Sequence, residues 1–338
     1  MRIPTTPSGN PAPRRLSARA RAALFGLFLA LAVYFLGPTN AFGPEVPTAR
    51  PAPPADLMQL DAWLVAQETV HADIRPGLAK GVVWHGAAGQ RTPWSVVYLH
   101  GFTASRLETA PLAEQVAAQL GANLFHSRLR GHGRSPAAMG EATVQDWLAD
   151  GLEALRIGRA LGEQVLVIGV STGATLATWL AQQPEGRDGV TYAFISPNFG
   201  PKNKSSELIN RPWGRELALA LEGDMRGQPS EDPRENHAWT QRYPTQALFP
   251  MMALVKRVRE SDLSGMTAPV LVLYSAGDQT VDPAEIQALF PRLGSARKAL
   301  EVVDYSEAKG QHVLAGEIRA PAATPRMAQR LVDWAQGR

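Results

Sequence analysis

From residue 55 onward, apolar residues follow two alternating rhythms. Short unbroken runs occur at Gly81–His85, Trp94–His100, Ala122–Phe125, Gln164–Gly169, Val190–Ile195, Pro269–Tyr274 and Leu300–Val303. Between them lie longer segments whose apolar positions return every three or four residues: Asp56–His71, Glu108–Leu120, Val144–Leu161, Thr172–Gln182, Pro283–Phe290 and Thr324–Gln336. Continuous apolar strands separated by helices predict a mostly parallel sheet covered on both faces, an α/β fold spanning residues 55–338. Right-handed crossovers then bring the C-terminal ends of the strands to one edge, where such folds carry their sites.

The alternation breaks between Pro197 and Met266. This stretch has helical patterns near Arg211–Leu221 and Thr245–Val258 around a polar loop, Glu222–Glu235, and no convincing strand. Loops that long without a role are uncommon, so about 197–266 reads as a small helical cap over the strand ends. Its Trp213, Trp239, Tyr243, Phe249, Met251 and Met252 suit either an acyl pocket or the packing face between cap and body.

The N-terminal pattern differs. Ala22–Gly37 has no charged residue and, as a helix, spans about 24 Å, a little under the ~30 Å hydrocarbon core of a bilayer. Residues 1–21, rich in Pro, Ser and Arg, read as a disordered basic arm. By the positive-inside rule the arm stays in the cytoplasm and the rest of the chain crosses. The segment reads as an uncleaved anchor, with a cleaved signal ending near Thr39-Asn40-Ala41, or a buried helix, as alternatives. The first two place the body on the extracytoplasmic side, anchored or secreted. Residues 38–54 are Pro-rich and read as an extended, semi-rigid spacer.

Charge sharpens this division. The chain of 338 residues has 34 basic and 31 acidic side chains. Arg2, Arg14, Arg15, Arg19 and Arg21 all lie before residue 42, which has no acid before it. The remainder therefore has no basic excess to neutralise phosphates, and a nucleic-acid partner is not expected. Cysteine is absent, which excludes disulfides, thiolate metal sites and cysteine nucleophiles. The histidines show no metal-ligand spacing, and no metal is expected.

The chemistry concentrates at predicted strand ends. Gly169-Val170-Ser171-Thr172-Gly173 follows the apolar run QVLVIG and opens a helix, the context a strand–nucleophile–helix turn requires. A helix cap would explain the serine but not both glycines. The free N–H groups at that helix start suit a developing oxyanion. A serine needs a base, and the base an orienting carboxylate, in the chain order Ser, acid, His. Asp278 lies just past a buried strand; Asp282, which looks like a helix cap, and Asp304 are the alternatives. His312 is the one histidine after Asp278. The His100-Gly101 turn after another strand suits half of an oxyanion hole, whose donors would be the backbone N–H groups of Phe102 and Thr172. Gly131-His132-Gly133 lacks the lysine and third glycine of phosphate loops, and His132 reads as structural.

These residues resemble the α/β-hydrolase superfamily, in particular its carboxylesterase and monoacylglycerol-lipase-like branch. The resemblance is carried by LHGFTAS at Leu99–Ser105, PLAEQVA at Pro111–Ala117, RLRGHGRS at Arg128–Ser135, GVSTG at Gly169–Gly173, SAGDQTV at Ser275–Val281 and QHVLAG at Gln311–Gly316. It implies an α/β-hydrolase fold with Ser171 as nucleophile, Asp278 as acid, His312 as base, Phe102 and Thr172 at the oxyanion hole, and no cofactor. The expected function is a serine hydrolase of carboxylic esters, small or lipid-like. Acyl transfer, thioester cleavage or peptide cleavage on the same fold are alternatives, as is a non-catalytic membrane-tethered binding module.

Overall fold

The computed structural model describes residues 17–338. Of the predicted disordered arm, residues 1–16 lie outside the described residues. Its last residues are helical: Ser17 caps helix α1, Ala18–Phe35, by accepting the N–H of Ala20. The apolar helix thus begins four residues before the uncharged run. None of its residues is buried.

Chain order then gives α2 (Leu60–Glu68), β1 (Gly81–Val83), β2 (Thr92–Leu99), α3 (Leu112–Leu120), β3 (Asn123–His126), α4 (Val144–Leu161), β4 (Gly162–Val170), α5 (Thr172–Gln182) and β5 (Val190–Ile195). The inserted segment holds α6 (Gly214–Glu222), β6 (Met225–Arg226), α7 (Pro233–Ala238), β7 (Tyr243–Pro244) and α8 (Leu248–Glu260). The body closes with β8 (Val270–Tyr274), α9 (Pro283–Leu289), β9 (Lys298–Val302) and α10 (Thr324–Ala335).

The strands form a seven-stranded sheet in the order β1–β3–β2–β4–β5–β8–β9. Only β1 runs antiparallel; every other neighbouring pair is parallel. Both faces are covered. Val97, Leu99, Val165 and Val167 pack with α4, α5 and α8, while Val96, Tyr98, Leu166 and Ile168 pack with α3 and α10. That double burial is why the strands read as unbroken apolar runs. The chain therefore has the α/β-hydrolase architecture, with the strand ends Leu99, Val170, Ile195 and Tyr274 on one edge.

Two local readings differ. The cap contains a two-residue antiparallel ribbon, β6 with β7, and helix α7 lies partly in the predicted polar loop. Helix α3 starts at Leu112 rather than Glu108, because the chain turns at Pro111 and sends Glu108 inward.

The Pro-rich segment is extended, but it does not stand clear of the body. Pro38 O accepts the backbone N–H of Trp213 (2.8 Å), and Val33 O accepts its indole N–H (3.0 Å). Asn40, buried, donates to Asn210 Oδ1 and Phe249 O, both at 2.9 Å. Glu45 pairs with Arg257 at 2.6 Å, and Arg50 with Asp150 at 3.0 Å. The segment is a strap across cap and body.

Arg50 gives the strap a pH signature. Burial pushes the Asp150 carboxyl up to about 6, against the opposing pull of Arg50 and a hydrogen bond from the Arg130 N–H. Its folded pKa lies above the unfolded one, so the stability tied to the neutral acid is lost as pH rises through about 6. Arg50 offsets that loss only when Asp150 is ionised. Arg50→Ala is therefore expected to destabilise the chain by about 2 kcal/mol at alkaline pH and by less than half of that in mild acid. Denaturant unfolding at the two pH values checks this; an equal loss at both would contradict it.

Candidate active site

The site begins with a strained residue. Ser171 has φ 52° and ψ −117°, a conformation that non-glycine residues rarely adopt. Strand β4 ends at Val170 and α5 starts at Thr172, so Ser171 alone makes the reversal. Both flanking glycines are required by contact. A Cβ on Gly173 would sit 2.1 Å from Leu99 O, and one on Gly169 would sit 2.7 Å from the Cα of Ala174. The strand, the turn and the helix pack too closely for any side chain at either position.

The sequence-predicted residues meet at this turn. Ser171 Oγ lies 3.0 Å from His312 Nε2 and donates its proton there. His312 Nδ1–H donates to Asp278 Oδ2 at 2.7 Å. Asp278 is 1% exposed, and its Oδ1 accepts the N–H groups of Thr280 (2.7 Å) and Val281 (2.9 Å). The carboxylate thus arrives fixed by its own loop, just past β8. Asp282 instead caps α9 through the Ala284 N–H and pairs with Lys204 at 2.9 Å. Asp304 is exposed. Neither touches His312.

The N–H groups of Phe102 and Thr172 have no acceptor among the described residues, and both residues line the cavity that holds Ser171 and His312. Buried donors are rarely left unpaired, so this pair is available to an incoming oxygen.

The turn carrying Phe102 is held by His100 and His132, both noted in the sequence, and by Glu108, which sequence reasoning did not single out. His100 is fully buried, and burial lowers its pKa to about 4, so it is neutral at physiological pH. Its Nε2 accepts the Leu129 N–H at 3.1 Å, leaving Nδ1–H to donate to Gly101 O at 2.9 Å. The ring of His132 lies tilted against that of His100, 4.9 Å between centroids, and makes an edge contact with Phe102, a packing role consistent with its structural reading. Glu108 accepts the N–H of Gly101 at 2.6 Å. Only the His-Gly pair hinted at this network in the sequence.

The cavity measures about 440 Å³. The cap contributes Ile209, Trp239, Tyr243, Leu248, Met251 and Met252 to its wall. Of the Met and aromatic group read in the insertion, Trp239, Tyr243, Met251 and Met252 therefore face the cavity. Phe249 packs in the core beneath Arg215, and Trp213 sits against the end of α1. The group is thus divided between the cavity wall and packing elsewhere.

Three kinds of likeness accompany this geometry. The family model described as "Serine aminopeptidase, S33" matches residues 90–317. The thermostable monoacylglycerol lipase of Bacillus sp. (strain H-257) is 26% identical over 212 residues, covering 62% of this chain and 80% of that one. Among solved structures, one from the work on LipS and LipT, two metagenome-derived lipolytic enzymes, superposes with a TM-score of 0.61 at 22% identity, covering 78% of this chain and all of that one. The monoacylglycerol lipase of Paleococcus ferrophilus superposes at 0.57 and 18% identity, over 77% of this chain and 98% of that one. A soluble variant of monoglyceride lipase from Saccharomyces cerevisiae superposes at 0.56 and 16% identity, over 76% and 91%.

Proposed function

Because the chain belongs to the serine aminopeptidase S33 family of α/β-hydrolases, with residues 90–317 matched, we propose that it cleaves lipophilic carboxylic esters through a Ser171–His312–Asp278 triad. The observation that carries this is the unbroken chain of hydrogen bonds from Ser171 Oγ to Asp278, opening on two unpaired N–H groups in one cavity.

The chemistry follows from the geometry. His312 Nε2 takes the Ser171 proton as Oγ attacks the ester carbonyl. The carbonyl oxygen becomes an oxyanion and is bound by the N–H groups of Phe102 and Thr172. Collapse of the tetrahedral species breaks the ester C–O bond, and the imidazolium returns its proton to the departing alcohol. Water, deprotonated by His312, then hydrolyses the acyl-serine and regenerates the hydroxyl. Asp278 holds the imidazole in the tautomer this needs and stabilises its cationic form.

The apolar wall of Ile209, Leu248, Met251 and Met252 favours an acyl chain. The apolar α1, long enough to cross a bilayer, supports membrane attachment in this reading and with it a lipid-derived ester as substrate. Arg19 and Arg21 at the start of α1 favour a cytoplasmic start and an extracytoplasmic body. The buried bonds of Asn40 favour an uncleaved anchor, since cleavage near Ala41 would strip Pro38 and Asn40 from the cap.

Turnover of p-nitrophenyl esters with acyl chains of about two to about sixteen carbons tests the substrate class. Specificity is expected to rise with chain length by up to about 0.8 kcal/mol per methylene until the cavity fills. A flat profile would contradict an acyl pocket, and no turnover together with no fluorophosphonate labelling would overturn the hydrolase reading. Recovery of the full-length chain in carbonate-washed membranes is the expected location. A soluble species beginning near Phe42 would instead establish a cleaved signal.

A further inference from the structure

Glu108 is 2% exposed and lies between β2 and α3, in the segment that follows the His100-Gly101 turn. Its Oε1 accepts two hydrogen bonds, from the N–H of Gly101 (2.6 Å) and the hydroxyl of Tyr98 (3.0 Å). No lysine, arginine or histidine pairs with it among the described residues. The side chain lines the same cavity as Ser171. A Cβ placed on Gly101 would lie 3.1 Å from Glu108 Oε2 and 3.3 Å from the Cβ of Ser171, so this carboxyl sits directly behind the reacting turn. Of the ionisable groups sharing the cavity, Lys309 has no ion pair among the described residues and Arg226 meets Glu222 at 3.8 Å, while the remaining groups around Glu108 are engaged. Tyr98 on β2 also bonds Thr109 at 2.7 Å, and Glu114 on α3 contacts His126 and Arg106. Across the cavity, His312 is bound to Asp278 and Arg319 to Glu235.

Resting on the hydrolase reading above, we propose that Glu108 is a positioning residue for the oxyanion turn and that it works there as a neutral carboxylic acid. Gly101 has no side chain to restrict it, yet the peptide unit that follows carries the Phe102 N–H. Gly101 is held through the peptide units on both of its sides. His100 donates to its carbonyl oxygen, and Glu108 holds the N–H on the other side of Gly101. The arrangement fixes the direction of the Phe102 N–H before substrate arrives, which is what a preorganised donor requires. Charge decides the working form. A carboxylate behind this turn would repel the negative charge that develops on the substrate oxygen, with little water to screen it. The neutral acid keeps an accepting oxygen for Gly101 and adds no repulsion. Burial pushes the Glu108 carboxyl up to about 8, so the neutral form prevails at physiological pH and is lost in alkali. As pH rises through that value the carboxylate forms and activity falls.

The test compares wild type, Glu108→Gln and Glu108→Ala as full-length proteins in detergent. The readouts are kcat and KM for a short p-nitrophenyl ester between about pH 6 and 10. Rates are normalised to the fraction of Ser171 labelled by a fluorophosphonate. Wild-type kcat is expected to decline above about pH 8. Glutamine retains the accepting oxygen but cannot ionise. Glu108→Gln should keep kcat within about fivefold of wild type at neutral pH and lack that decline. Glu108→Ala should lower kcat by roughly 10²-fold with KM changed less than about threefold. An alkaline decline in Glu108→Gln matching the wild type would overturn the neutral-acid role. A loss in Glu108→Gln as deep as in Glu108→Ala, or no loss in Glu108→Ala, would overturn the positioning role. If Glu108→Ala fails to fold, the glutamine profile alone decides. Absence of labelling in the wild type would refute the hydrolase reading on which all this rests.

Discussion

Replacing Ser171 with alanine is expected to lower kcat toward ester substrates by at least about 10⁴-fold while leaving the fold intact. The hydroxyl makes one side-chain contact, with His312 Nε2, and supports no packing that alanine would not. The strained φ of 52° is imposed by the strand, the helix and the two glycines, so alanine inherits it. Thermal unfolding should therefore shift by no more than a degree or two. The residual rate would come from the Phe102 and Thr172 N–H groups acting on water attack, as it does whenever a nucleophile is removed but an oxyanion site remains. Fluorophosphonate labelling should vanish together with turnover. Full turnover in a folded Ser171→Ala protein would remove the nucleophile from the mechanism, and the hydrogen-bond chain to Asp278 would need another purpose.

The parts of this site that were legible in the sequence share one physical property: they lie where a buried strand stops. The apolar run QVLVIG fixes the position of Ser171, and PVLVLY fixes that of Asp278, because a strand covered on both faces cannot hide its limits. His312 was legible by chain order. What escaped notice depends on single contacts with no periodicity. Glu108 sits in a stretch that reads as the start of a helix, and nothing local says that its carboxyl turns inward toward Gly101. The strap reads as a spacer because six prolines dominate residues 37–54. Its attachment relies on isolated polar residues, Asn40, Glu45 and Arg50, each meeting a partner more than 90 positions away. The ribbon of β6 and β7 is two residues per strand, too short for any alternating pattern to register.

Asp278→Asn is the substitution that separates electrostatics from geometry, and it is expected to lower kcat by roughly 10⁴-fold with KM little changed. Asparagine is nearly isosteric, and its carbonyl oxygen can still accept the N–H groups of Thr280 and Val281. That choice directs its NH₂ at His312. An NH₂ cannot accept the Nδ1 proton, so the imidazole must present a lone pair there and carry its proton on Nε2. Nε2–H then faces the Ser171 hydroxyl and cannot remove its proton. The cavity wall is untouched, which is why binding persists while chemistry fails. Asp282→Asn provides the contrast. That carboxylate caps α9 and pairs with Lys204, so its loss should lower stability slightly and leave kcat within about twofold. Side-by-side kcat and KM for the two asparagine variants check the assignment. Comparable turnover in both would mean that Asp278 does not orient His312, and the imidazole would have to be held by its loop alone.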